Sequence, residues 1–471
     1  MGKTIFEKIW DRHLVTDLDS ATGLILIDRI LLHERTGSVA LESLAAAGRP
    51  VAAPRQAFAT MDHIVDTLPG RTDRTIMPTG TAFIEATRRA ATAAGITLFD
   101  LGDPRQGIGH VISPELGIVL PGLTLVCPDS HTCSQGAIGA LAWGIGSSEA
   151  EHALATSTLR VRRPGTMRIT VDGVLGVGVT AKDLALHLLA RFGSSGAKGH
   201  VVEYAGAAVR ALDVEARLTL CNMATEFSAF SAIIAPDEVV FDWLAGRPYA
   251  PQGALWAQAV ADWRTLSSDA DAKFDAELRV DAADVRPMVT WGTSPQQAMP
   301  IGAHVPGHAD VAARDTAESH ARALDYMGLR AWQALDGEPI DAAFIGSCTN
   351  SRLSDLRRAA AILKGRHVAD GVRAICVPGS GAVKAAAKAE GIDQVFRDAG
   401  FEWREPGCSM CFFAGGESFG AQERVITSTN RNFESRQGPG TRSHLASPET
   451  VAASAIAGRI IAAADLKDFV A

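Results

Sequence analysis

The stretch "AAFIGSCTNSRLSDLRRAAAILKG", residues 342–365, decides the fold. "AAFI" is a short apolar run that stops at the small, polar turn "GSC". "RLSDLRRAAAILKG" then spaces its apolar residues as a helix does, with Gly365 beyond its end. The same pair of elements follows directly: "VRAICVPGSG" (372–381) reads as strand then turn, and "AVKAAAKAEG" (382–391) as helix then glycine. This β-α-β-α alternation predicts a parallel sheet covered by helices. Chemistry in such sheets gathers at the carboxyl ends of the strands, where Cys348 stands.

The alternation extends upstream. "GITLFDLG" (95–102) and "GLTLVCPDSH" (122–131) read as strand to loop, and the Gly/Ala-rich segment 136–160 turns helical in its second half. "MRITVDG" (167–173) reads as a strand. "TAKDLALHLLARFG" (180–193) reads as a helix with Thr180 as N-cap, Asp183 at the third position and Gly193 at the end. Over 286–330 the pattern dissolves into a Pro- and Gly-rich run that includes "RPMVTWGTSPQQAMPIGAHVPGHAD", expected to be an ordered linker. No internal repeat is visible in the sequence.

A chain of 471 residues exceeds what one core usually organises, so two or three domains are expected. A hydrophobic share of 47% supplies sizeable cores. The net charge of −8, with no run of Lys and Arg interleaved with aromatics, argues against nucleic acid as a partner. The start, "MGKTIFEKIWDRH", lacks the apolar centre of a signal peptide, and no run of about 18 apolar residues follows, so a cytoplasmic protein without a membrane partner is expected. Seven cysteines are too few, and odd in number, for a disulfide scaffold. Reduced thiols or metal ligands are expected instead.

"PGCSMC" (406–411) sets Cys408 and Cys411 three positions apart. A structural zinc site would want a second ligand pair at close spacing, and none is present. A redox dithiol usually opens a helix after a strand near the chain start, whereas this pair lies deep in the sequence. With Cys348, sixty residues earlier, the pair could instead hold three irons of a [4Fe–4S] cluster and leave one iron open as a Lewis acid. Spacing alone leaves the buried-thiol, redox and cluster readings open.

Wider motifs narrow them. "IGSCTNSR" (345–352), "PGCSMC" (406–411) and "STNRNFESRQG" (428–438), in this order, resemble the aconitase superfamily. So do "FATMDH" (58–63), "GIGHVISPELGIVLPG" (107–122), "DSHTCSQGAIGALAWGIGSSEAEH" (129–152) and "GHVVEY" (199–204), and the similarity runs from residue 3 to about 460. "ERTGSVALESL", "VTWGTSPQQ" and "GFEWREPGCSMC" are similar to the isopropylmalate isomerase branch. The resemblance implies α/β domains of the aconitase type packed around an iron–sulfur cluster: 1–134, 135–285 and, after the linker 286–330, 331–471. It implies a hydro-lyase that removes water from a 2-hydroxy diacid and returns it at the neighbouring carbon. It also implies a partner, a separate small subunit carrying the mobile fourth domain and a proton-abstracting serine. The one similar loop here, "VPGSGAVKA" (377–385), belongs to the C-terminal α/β region and fails the phosphate-loop pattern too.

Residue by residue, the resemblance makes Cys348, Cys408 and Cys411 the cluster ligands. It makes Asp62 with His63, His110 with Asp129, and His131 with Glu203 the histidine and carboxylate pairs that hold protons. Ser130, Asn430, Arg431 and Arg436 match substrate positions, the guanidinium groups suiting carboxylates. Cys127, Cys133, Cys221 and Cys376 are expected to be buried thiols, Cys133 being the one to watch; His13, His33, His187 and His444 are expected at the surface or in packing.

Several residues depart from the branch. Ser228, Phe230 and Ala232 stand where it usually has Gly, a basic residue and Gly; "CFFAGGES" (411–418) replaces a Leu/Ala-Met-Asn segment; Pro128 replaces Gly, and Ile30 replaces His. Such changes are consistent with repacking, or with a related hydro-lyase acting on methylmalate, dimethylmalate or malate. An RNA-binding protein and a zinc or thiol protein are the other classes considered.

Overall fold

A computed structural model describes residues 2–313 and 315–466. The chain divides into two compact units, the first made of 1–64, 81–173 and 197–281, the second of 65–80, 174–196 and 282–471.

The first unit is built on a five-stranded sheet: β1 (Arg29–His33), β2 (Ala57–Thr60), β3 (Thr97–Phe99), β4 (Thr124–Cys127) and β5 (Leu141–Gly144). All pairings are parallel, in the order β3-β2-β1-β4-β5. β2 and β4 are buried at every position, which is why they read as near-continuous apolar runs, each with one threonine, and not as alternating ones. A second parallel sheet holds β6 (Gly165–Asp172), β7 (His200–Ala205), β8 (Ser231–Ile233) and β9 (Ala276–Asp281), in the order β8-β7-β6-β9. A small antiparallel sheet joins Leu14–Asp19, Thr22–Leu26 and Thr158–Arg162.

In the second unit β10 (Ala342–Ile345), β11 (Arg373–Cys376), β12 (Glu402–Trp403), β13 (Arg424–Thr427) and β14 (Arg442–Leu445) form an all-parallel sheet ordered β12-β11-β10-β13-β14. This is the order of the first unit's five-stranded sheet. The parallel α/β architecture expected from the alternation is present, and a strand order recurs that no sequence repeat announced. The helix Leu353–Leu363 buries Leu356, Ala359, Ala360 and Leu363 at helical spacing. The helix Ala181–Phe192 has Thr180 and Asp183 as a reciprocal capping box and ends at Gly193, as its sequence predicts.

The stretch 286–330 is more than a connector. Met288–Thr290 pairs antiparallel with Ala298–Pro300, the helix Ala317–Met327 follows, and buried Trp291 lies against His320 with ring centroids 5.2 Å apart. Three-residue strands interrupted by Pro and Gly leave too little periodicity to be read from sequence. Among the described residues no helix is long and apolar enough to cross a membrane.

In both five-stranded sheets the chain starts at the central strand, builds to one side, then returns to build to the other. The loops leaving β1 and β4, and those leaving β10 and β13, therefore rim a crevice at the carboxyl ends.

Candidate active site

In the first unit the crevice gathers the histidine and carboxylate groups. Asp62 and His63 follow β2, and Asp129, Ser130 and His131 follow β4. His110 lies in the short helix Gly109–Glu115. His63 Nδ1 is 2.6 Å from Asp62 Oδ1, and its Nε2 is 3.3 Å from Asp129 Oδ2. His110 Nε2 donates to Asp129 Oδ1 at 3.0 Å. The expected pairs Asp62 with His63 and His110 with Asp129 are thus in contact, and Asp129 joins the two. Burial opposes the charge on Asp129, yet the hydrogen bonds of His110, His131 and His63 hold its carboxyl well below the usual range. Burial likewise opposes the charge on Asp62, but His63 outweighs it and lowers the Asp62 pKa.

The third pair is corrected. His131 Nε2 meets Glu226 Oε1 at 3.0 Å, while Glu203, in β7, lies 3.3 Å from Arg168 Nη2 and accepts the Ser268 hydroxyl at 2.5 Å. Glu203 is an inner residue of a strand, so its side chain follows the pleat; Glu226 lies in the 3-10 turn Met223–Phe227, outside any strand, and reaches His131. Ser130 is exposed, with its hydroxyl 3.4 Å from His131 Nδ1.

Two neighbours went unsuspected. His33 is buried and stacked on His63 with centroids 4.0 Å apart; its Nε2 donates to the Pro128 carbonyl at 3.1 Å, and burial lowers its pKa to about 4. Glu34 beside it is fully buried. The dipeptide "HE" at the carboxyl end of a strand was the available signal. His33, Glu34, Asp62 and His63 together have the residue types of a cation site. Their oxygens are already engaged, Glu34 by three backbone N–H groups and Asp62 by His63 and the Gly109 N–H, so the group is a hydrogen-bonded clamp.

In the second unit the crevice gathers the thiols. Cys348 follows β10, Asn430 and Arg431 follow β13, and Cys408 and Cys411 follow β12. Asn430 Nδ2 is 3.5 Å from Cys348 Sγ, and Asn430 Oδ1 is 3.8 Å from Cys411 Sγ. Ser347 Oγ lies 3.1 Å from Cys411 Sγ and 4.0 Å from Cys348 Sγ. Cys408 closes the turn, its carbonyl accepting the Cys411 N–H at 3.0 Å. Arg436 Nη2 is 3.9 Å from Cys411 Sγ, and its guanidinium lies between the Phe412 and Phe433 rings, 4.6 and 5.1 Å from their centroids. Arg431 is half-buried on the Asn430 loop.

Two buried cations brace these loops from beneath. Arg352 donates to the carbonyls of Cys348 at 2.7 Å and Thr349 at 2.8 Å, and Lys182 donates to those of Ser428 and Thr429. Three unbridged thiols on converging loops, two of them sharing Ser347 and Asn430, fit the three-thiolate holder of an iron–sulfur cluster. The other thiols do not suit ligation. Burial pushes Cys127, Cys221 and Cys376 well above the ordinary thiol range, and Cys133 is spent on the Cys221 carbonyl at 3.2 Å.

Residues 7–458 match the Aconitase family (aconitate hydratase). The chain is similar to the 3-isopropylmalate dehydratase large subunit 1 of Bradyrhizobium diazoefficiens, with 51% identity over 459 residues that cover 98% of this chain and 96% of that protein. A solved structure, the holo form of aconitase X from Thermococcus kodakaraensis, matches with a TM-score of 0.47 and 14% identity over 91% of this chain and 88% of that one. With a family match spanning almost its whole length, set on converging loops of the kind just described, the chain belongs to the aconitase family.

Proposed function

We propose that this chain is the larger subunit of a hydro-lyase that interconverts 2-isopropylmalate and 3-isopropylmalate by dehydration and rehydration, with a [4Fe–4S] cluster held by Cys348, Cys408 and Cys411. The observation that carries the reading is Asn430 bridging Cys348 and Cys411 beside a guanidinium, that of Arg436. The 51% identity to an isopropylmalate dehydratase large subunit supports the substrate and the need for a small subunit, which would bring the mobile domain and its serine base. A three-domain division near 134, 285 and 330 and a cytoplasmic location belong to the same reading.

When bound, the cluster supplies a Lewis-acidic iron that makes the substrate hydroxyl a better leaving group. The residues of the chain do the rest. Arg431 and Arg436 bind the substrate carboxylates, and the aromatic faces of Phe412 and Phe433 hold the Arg436 plane for bidentate contact. His63, with a carboxylate at each ring nitrogen, is placed to hold and pass a proton, because both anions favour the charged form of an imidazole between them. His110 and His131 are oriented by their hydrogen bonds to Asp129 and Glu226.

The test is hydration of unsaturated diacids, followed as ultraviolet loss, by the anaerobically reconstituted chain with its small subunit. Isopropylmaleate is expected to outrun citraconate, dimethylmaleate and maleate in kcat/KM. The Phe412 ring on Arg436 favours one second reading, a smaller diacid substrate. A lead of about tenfold for citraconate or maleate, worth about 1.4 kcal/mol in transition-state binding, would establish that reading and end the isopropylmalate one.

A further inference from the structure

Glu34 follows β1 directly, and no part of it reaches solvent. Its carboxylate collects three successive backbone N–H groups from the turn that carries Asp62 and His63. One oxygen accepts from Asp62 N at 3.0 Å, the other from His63 N at 2.7 Å and Ile64 N at 2.5 Å. Consecutive N–H groups converging in this way form the concavity in which proteins bind anions; here the anion is the chain's own side chain. Asp62 extends the constraint, accepting from His63 Nδ1 on one oxygen and from the Gly109 N–H, 2.9 Å away, on the other. The backbone from which both side chains depart is therefore fixed by a residue 28 positions earlier in sequence.

Resting on the hydro-lyase reading above, we propose that Glu34 is a positioning residue for the Asp62 and His63 pair, holding its backbone in place and favouring the protonated His63 ring through its negative charge. The groups facing His63 are Asp62 on its own turn, Glu34 and His33 from the end of β1, and Asp129 and Cys127 from the end of β4. Burial keeps His33 and the Cys127 thiol uncharged. The charge on the ring is set by the three carboxylates, Asp62, Asp129 and Glu34. Burial and then the Asp62 charge raise the Glu34 pKa above its ordinary value, and His63 and the N–H groups of Ile64 and Asp62 offset part of that rise; the geometry, two oxygens accepting three backbone N–H groups, is that of a carboxylate anion.

Glu34→Gln keeps the shape and removes the charge. Removing a nearby anion disfavours the imidazolium, so the His63 pKa must fall. The experiment titrates His63 by NMR in full-length protein labelled at histidine Cε1, with the resonance assigned through His63→Gln, and measures the pH profile of kcat with the small subunit present. In Glu34→Gln we expect the His63 pKa and the alkaline limb of kcat to move down together by about half a pH unit or more. KM and the cluster absorbance stay unchanged. A titration and a profile that coincide with those of the parent would overturn the proposal. Glu34→Asp keeps the charge but draws it back from the N–H groups, so kcat falls while the pH limb stays; parent-like kcat in Glu34→Asp would overturn the proposal even if Glu34→Gln does not fold. The titration needs no substrate. A parent enzyme that hydrates no diacid therefore ends the hydro-lyase reading, while the His63 shift still decides the role of Glu34.

Discussion

His131 carries the sharpest residue-scale lesson, because its carboxylate partner, Glu226, belongs to none of the motifs that pick out the histidine. A charged hydrogen bond across 95 residues leaves no spacing to read. Glu226→Gln is expected to lower kcat by about a hundredfold, in the range of a lost acid–base partner, whereas Glu203→Gln lowers it less than about threefold; steady-state kinetics at fixed cluster content checks both. His444 makes a second prediction. It is fully buried, donates from Nδ1 to the Thr290 carbonyl and accepts from Arg424 at Nε2, so a second proton would have to sit against a guanidinium. Burial first, and then the Arg424 charge, lower its pKa from 6.5 to about 3. The unfolded state then binds the extra proton at a pH where the folded state refuses it. Stability from this group is complete above about 6.5 and is lost as pH falls toward about 3, by at most about 1.4 kcal/mol per pH unit. Urea unfolding of His444→Gln between pH 7 and about 5 should show a shallower acid slope than the parent.

At the scale of elements, the loops at the carboxyl ends concentrate backbone strain. Ser347, Ser409 and Ser435 all have left-handed φ, at 81°, 48° and 63°, and lie beside Cys348, inside the C-x-x-C turn and next to Arg436. A non-glycine residue accepts that region only when its surroundings impose it, and such positions cluster at functional sites. Ser228, with φ of 59°, is different. It caps the short turn Met223–Phe227 at a place where the isopropylmalate isomerase branch usually has glycine, and its side chain adds strain. Ser228→Gly is expected to raise stability by about 1 kcal/mol, read from the urea midpoint at unchanged slope. The helices and strands that frame these loops were legible because their periodicity is local: capping residues, apolar spacing and terminal glycines lie within one element. The loop conformations were not, since they depend on remote neighbours such as Lys182, which donates to the Ser428 carbonyl across 246 residues.

At the scale of the whole molecule, one strand order is used twice, and each use sets a chemically distinct group of side chains at its switch point, histidines with carboxylates in the first unit and thiols with a guanidinium in the second. The resemblance to two-subunit isomerases predicts how the whole chain behaves alone. Reconstituted anaerobically, it should bind about four irons and four sulfides yet hydrate isopropylmaleate only when the small subunit is added. In Cys348→Ser the iron content should fall; full turnover by the single chain, or an unchanged iron content in that variant, would contradict the assignment. What the sequence by itself determined is the α/β class, the helices and strands with clear periodicity, and the family, because these rest on local periodicity and on motifs contiguous in the chain. Only the tertiary structure decided that Glu226 rather than Glu203 faces His131, that Glu34 and His33 support His63, that Asn430 lies between Cys348 and Cys411, and that the strand order recurs. Each of these is a contact or pairing between residues remote in sequence, chosen by how strands are ordered in a sheet and how their loops then converge, and no short-range pattern encodes that order.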